Sequence, residues 1–111
     1  MKLPTTITHT AYGHVVDDQM AALEYEMRAE QAASLGRVGR KLENKIEELR
    51  QCRAQLTECK GPERVSLLEK CLRLHEEAER FFWYLQVQRE AMGIYNHDQL
   101  RRSYPIPSAT P

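Results

Sequence analysis

Cys71 and His75 stand four residues apart, a spacing that puts both on one face of a helix and can ligate zinc. Cys52 is the thiol that could join them from a second element. Cys59 lies two helical turns from Cys52, about 10 Å, too far to complete the same tetrahedron. All three cysteines fall on or beside apolar positions, where a free thiol behaves as a small hydrophobe. They are therefore expected to be buried, reduced and without metal, with thiol pKa values raised by their apolar surroundings. A Cys52–Cys71 disulfide is geometrically conceivable but is disfavoured in a reducing compartment.

Other chemistry fares no better. A dinuclear carboxylate centre needs Glu-x-x-His pairs, but the residues three before His9, His14, His75 and His97 are Thr6, Ala11, Leu72 and Ile94. Ser34, Ser66, Ser103 and Ser108 have no elbow or acid-base signature around them, and no glycine-rich phosphate loop occurs. Gly36-x-x-Gly39 with Arg37, Arg40 and Lys41 suggests a phosphate site, but on a helix such cations more simply form a solvated face. Glu76, Glu77 and Glu79 with Arg73 and Arg80 read as surface ion pairing. The residues thus predict neither enzyme nor cofactor.

Composition agrees. At 111 residues the chain has the size of one domain, and 29% charged with 7% aromatic residues points to a charged helical protein. Sixteen basic residues offset sixteen acidic ones, so nothing advertises a polyanion partner. No apolar run approaches the roughly 20 residues that span a bilayer, and the N-terminus lacks a secretory apolar core. The expectation is a cytoplasmic protein with no membrane association.

The elements that would position these residues follow from periodicity. Residues 1–16 are Thr-rich with Pro4 and Gly13 as breakers, and are read as a flexible arm. From Asp17 and Asp18, a cap and first-turn acid, a long helix carries Met20, Leu23 and Met27. Leu35, Val38, Leu42, Ile46, Leu49, Cys52, Leu56 and Cys59 continue that stripe until Lys60-Gly61-Pro62 stops it. A second helix, from about Glu63 to Met92, repeats a three-four spacing through Cys71, Leu74, Ala78, Phe81, Leu85, Gln88 and Met92. Gly93 and Ile94 predict a Schellman ending, and Asn96 with Gln99 predicts a capped short third helix holding Leu100. Residues 104–111, with Pro105, Pro107 and Pro111, form an extended tail, leaving 17–103 as the helical domain.

A connection this short makes the two long helices antiparallel neighbours whose residue numbers sum to about 122. The fold class is therefore all-α, a long antiparallel helical hairpin with a coiled-coil-like seam, a short C-terminal helix and extended tails. The alternative is a three-helix bundle broken near Gly36 and Gly39, since each interior glycine costs about 1 kcal/mol. In the unbroken version the two glycines face Phe81-Phe82-Trp83-Tyr84 and make room for a ring.

Ile46, Leu68, Leu72, Phe82 and Trp83 fall outside the seam and form a candidate dimer interface, giving a homodimer arranged as a four-helix bundle. Met20, Leu23, Tyr25 and Met27 outrun the second helix, and Ile94, Tyr95, Leu100, Tyr104 and Ile106 are the nearest residues to cap them. Together, Met20, Leu23, Tyr25, Met27, Ile94, Tyr95, Tyr104 and Ile106 make a candidate partner surface, because Met repacks easily and Tyr has an apolar ring with a polar tip. The function expected is a non-enzymatic helical interaction or assembly module. The alternative is a nucleic-acid-binding hairpin using Arg28, Arg37, Arg40, Lys41, Arg50, Arg53, Arg101 and Arg102. The interleaved acids disfavour it.

Overall fold

The computed structural model describes the backbone of residues 2–110 and the side chains of residues 16–110. Three helices follow one another: α1 (Lys2–Glu58), α2 (Pro62–Ala91) and α3 (Asp98–Ser103), with no strand among the described residues. Helix α1 is continuous through Gly36 and Gly39, so the broken three-helix bundle is not the fold. It also starts well before Asp17, across the segment read as an arm. Pro4 sits in its first turn, where an amide has no intrahelical acceptor to lose. The side chains of 1–15 lie outside the described residues.

The chain divides between Ser34 and Leu35 into two units, a boundary inside the expected 17–103 domain. Among the described residues the first unit is helix alone. Of its side chains, Met20, Leu23 and Met27 are more than half exposed and Tyr25 is 75% exposed.

The second unit is the hairpin. Gly61 turns the chain at φ 72° and ψ −146°, a conformation open essentially to glycine, and Pro62 starts α2 with its φ already helical. The Arg64 guanidinium donates to the carbonyl of Leu56, satisfying one of the orphan acceptors at the end of α1. The Lys45 ammonium meets Glu77 at 3.0 Å and the Cys52 and Cys71 thiols adjoin, pairs whose numbers sum to 122 and 123. The antiparallel register read from the short connection is the one observed.

Leu42, Ile46, Leu49, Cys52 and Leu56 of α1 are buried, as are Cys71, Leu74, Ala78 and Leu85 of α2. They form two clusters. Leu42, Ile46, Ala78 and Leu85 pack with Leu100 of α3, while Leu49, Cys52, Leu56, Cys71 and Leu74 fill the turn end.

A third strip of chain closes this core. Helix α2 ends in a Schellman motif: Gly93 has φ 84° and its N–H donates to Glu90, while the N–H of Ile94 donates to Arg89. Asn96 Oδ1 accepts from the N–H of Asp98 at 3.0 Å, and His97 is the N-cap residue of α3. Asn96 thus supplies a cap from one position earlier than a capping box would, and its predicted partnership with Gln99 is not what holds α3. Beyond α3, Tyr104 packs on the first cluster and Ile106 on both. Residues 98–106 therefore lie along the hairpin rather than trailing from it as a free tail. Two helices leave one side of their groove open, and Leu100, Tyr104 and Ile106 are the apolar residues within reach to fill it.

Candidate functional site

Three places gather the residues singled out in the sequence. At the first, Cys52 and Cys71 are buried side by side between α1 and α2, and Cys59 is half-buried beyond them. Cys52 Sγ donates to the carbonyl of Leu67 at 3.4 Å. Burial pushes the Cys71 thiol up to about 11, and the adjoining Cys52 thiol adds to the shift. A thiol in that state is a poor nucleophile and a poor ligand. His75 turns instead toward Glu79, at 3.5 Å. Among the described residues no three of His, Cys, Asp and Glu come together as a metal ion would require. No helix among them is long and apolar enough to cross a membrane.

The second place is the outer strip of α2. Val65, Leu68, Leu72, His75, Glu79 and Phe82 recur at three and four residues, so they line one side of the helix. Of the five residues predicted to form a dimer interface, Leu72 and Trp83 are more than half exposed. Leu68 and Phe82 are half-buried against the two clusters, and Ile46 is buried at 4% exposure. Ile46 is therefore a core residue, used up inside the chain because the hairpin and the returning segment enclose it with Leu42, Ala78, Leu85 and Leu100.

The four-ring run divides as its 100° steps require. Phe81 and Phe82 pack inward, while Trp83 and Tyr84 are 57% and 41% exposed and touch each other at 5.5 Å between ring centroids. A cavity of about 430 Å³ opens between α2 and the returning segment, walled by Phe82, Trp83, Gln86, Tyr104 and Pro105.

The third place concerns the glycines. Gly39 is buried, and a Cβ there would sit 2.8 Å from the hydroxyl of Tyr104. The ring over Gly39 is thus Tyr104, not one of the α2 run. A Cβ on Gly36 would meet only Arg40 Nη1, at 3.4 Å, so Gly36 is not a packing glycine. The clue to Tyr104 was present in the spacing of Leu100, Tyr104 and Ile106. Four residues within a helical turn followed by two in extended chain keep all three on one side.

Of the candidate partner surface, Met20, Leu23, Tyr25, Met27, Ile94 and Tyr95 are exposed, whereas Tyr104 and Ile106 are packed against the hairpin core. Of the cations that a nucleic-acid reading would use, Arg50 and Arg101 are paired with acids, and Lys45, outside that set, is paired too. Lys45 meets Glu77 and Glu48, Arg50 meets Glu47 at 3.7 Å, and Arg101 meets Asp98 at 3.6 Å. Compared with known protein families, curated proteins and solved structures, the chain matches none.

Proposed function

We propose that the protein is a non-enzymatic assembly module that self-associates through its exposed apolar helix faces. The observation that carries this reading is the stripe of Met20, Leu23 and Met27, spaced three and four residues apart and each more than half exposed. Such a stripe on a helix that continues into a packed hairpin is suited to a second helix face. The outer strip of α2, with Val65, Leu72 and Trp83 exposed, is the complementary surface on a second copy. Two copies related by a two-fold axis would use each surface twice, stripe against strip and strip against stripe.

Charge is unevenly spread along the chain. Residues 17–30 carry five acids against Arg28 alone, while residues 35–111 hold fourteen basic residues against eleven acidic ones. On α2, exposed Arg73 and Arg80 border the strip together with exposed Glu69, Glu76 and Glu79, so the apolar side chains rather than charge select this face. The acidity of 17–30 also works against a phosphate backbone as ligand.

Sedimentation of the full chain across a concentration series tests the proposal. A dimer is expected. The Met20→Glu, Leu23→Glu double substitution and the Leu72→Glu, Trp83→Glu pair should each weaken it while leaving the helical circular dichroism of the hairpin intact. A chain that stays monomeric at tens of micromolar, or a dimer indifferent to both pairs, overturns the reading.

A further inference from the structure

We propose that the cavity where α3 meets the hairpin is an anion-binding site, taking a phosphate or carboxylate group carried on a small apolar body. It encloses about 360 Å³, within the size of small-ligand sites. Arg89, Gln99, Ser103 and Tyr104 form its polar wall, and Leu85 and Leu100 belong to its apolar wall. Each of those four polar side chains carries an N–H or O–H donor, and none of the described lining residues is a carboxylate. That donor set suits an oxyanion.

One guanidinium group, that of Arg89, stands in the wall. Arg89 donates from Nη2 to the carbonyl of Asn96 at 3.3 Å, which fixes the group, while its Nε is buried without a partner. Gly36, also in the wall, leaves room where a side chain would stand, and Arg40 Nη1 lies 3.4 Å from the position its Cβ would take. A guanidinium is a usual means of holding a planar carboxylate or a phosphate, through short charge-assisted hydrogen bonds. The acids adjoining this site in sequence, Glu90 and Asp98, are engaged by His97 at 3.0 Å and Arg101 at 3.6 Å. They do not use up the donors of Arg89.

The site also has a mechanical consequence. Gly36 and Arg89 belong to the hairpin, whereas Gln99, Ser103 and Tyr104 belong to the returning segment. A bound anion would join the two and hold the segment down. This inference stands apart from self-association, since none of its residues lies on the proposed dimer surfaces.

Nitrogen-detected NMR of the arginine side chains tests it, titrating inorganic phosphate, phenyl phosphate and benzoate at constant ionic strength. Saturable movement of the Arg89 Nε–H signal is expected, together with slower amide exchange over residues 98–104 in the bound state. Phenyl phosphate and benzoate should bind more tightly than inorganic phosphate because of the leucine wall. The stronger of the two identifies the preferred anion.

Arg89→Gln, which removes the Arg89 Nε–H signal and is therefore read by amide exchange over residues 98–104, should weaken binding roughly tenfold or more. Because that change could also loosen the turn at Asn96, Gly36→Leu provides a second variant that fills the cavity from an open helix position. It should abolish the saturable shift while the melting temperature holds or rises. A linear drift shared by all arginines, or unaltered binding in Gly36→Leu, would overturn the site.

Discussion

Helix α1 carries the same kind of apolar spacing in both units, with opposite outcomes. Met20, Leu23 and Met27 in the first unit are each more than half exposed, while Leu42, Leu49 and Leu56 in the second are completely buried. The two regions differ little in local helix-forming tendency. They differ in what lies opposite, because α2 and the returning segment supply Cys71, Leu74, Ala78, Leu85 and Leu100 to the second region. Helical stability in water comes mostly from such tertiary burial, so one continuous helix can hold a cooperative core over residues 42–56 and exposed apolar side chains over residues 20–27.

The sharpest way to break that contrast is to cut the same side chain in both places. Leu49→Ala should cost about 2–5 kcal/mol, since the site is fully enclosed and leaves a cavity. Leu23→Ala, at 57% exposure, should stay within about 0.5 kcal/mol of the parent monomer. Urea denaturation at a concentration low enough to keep the chain monomeric measures both, and equal losses would erase the distinction between the regions.

The glycines sharpen it on a finer scale. Gly39→Leu should destabilise by about 1–3 kcal/mol, because the new side chain would have to displace Tyr104 from above the helix. Gly36→Leu should be neutral or stabilising by up to about 1 kcal/mol through helix propensity. The 2.8 Å approach is to the Tyr104 hydroxyl, with the ring carbon behind it at an ordinary 3.6 Å. Tyr104→Phe should therefore recover part of any loss in Gly39→Ala, and thermal melts of the double-mutant cycle would show it. Strict additivity would mean that Tyr104 does not rest on Gly39.

The thiol pair gives the core a pH signature. Cys71 is raised from 9.0 to about 11 in the folded chain, chiefly by burial, so the neutral thiol is favoured by folding. Its contribution is complete below pH 9 and is lost as pH rises through about 11. Stability should fall across that window by an amount on the order of 1 kcal/mol, and Cys71→Val should flatten the fall. Denaturant midpoints measured at successive pH values decide it. At pH 8, half-buried Cys59 should react with iodoacetamide well before either buried thiol.

The smallest effect expected is at the surface of the hairpin. Lys45 is held protonated above its usual range, mainly by its hydrogen bond to Glu77, and the pair spans α1 and α2. Because the Lys45 side chain is 28% exposed, solvent screens the pair, and Lys45→Met should cost no more than about 1 kcal/mol. A larger loss, read by chemical denaturation, would make the register depend on charge rather than on the leucine seam.

The sequence by itself determined the two long helices, their turn at Gly61 and Pro62, the antiparallel register and the Schellman ending at Gly93. Each of these follows from local chemistry: the periodicity of side chains, the positive φ open to glycine, and a link too short to permit another arrangement. Three matters were decided only by tertiary structure. Ile46 went into the core, Tyr104 took the place over Gly39, and residues 98–106 were laid along the hairpin. Periodicity shows which face of a helix is apolar, but not which of several distant apolar segments will cover it. That choice depends on shape and on the total area removed from water, which exist only once the chain has been brought together.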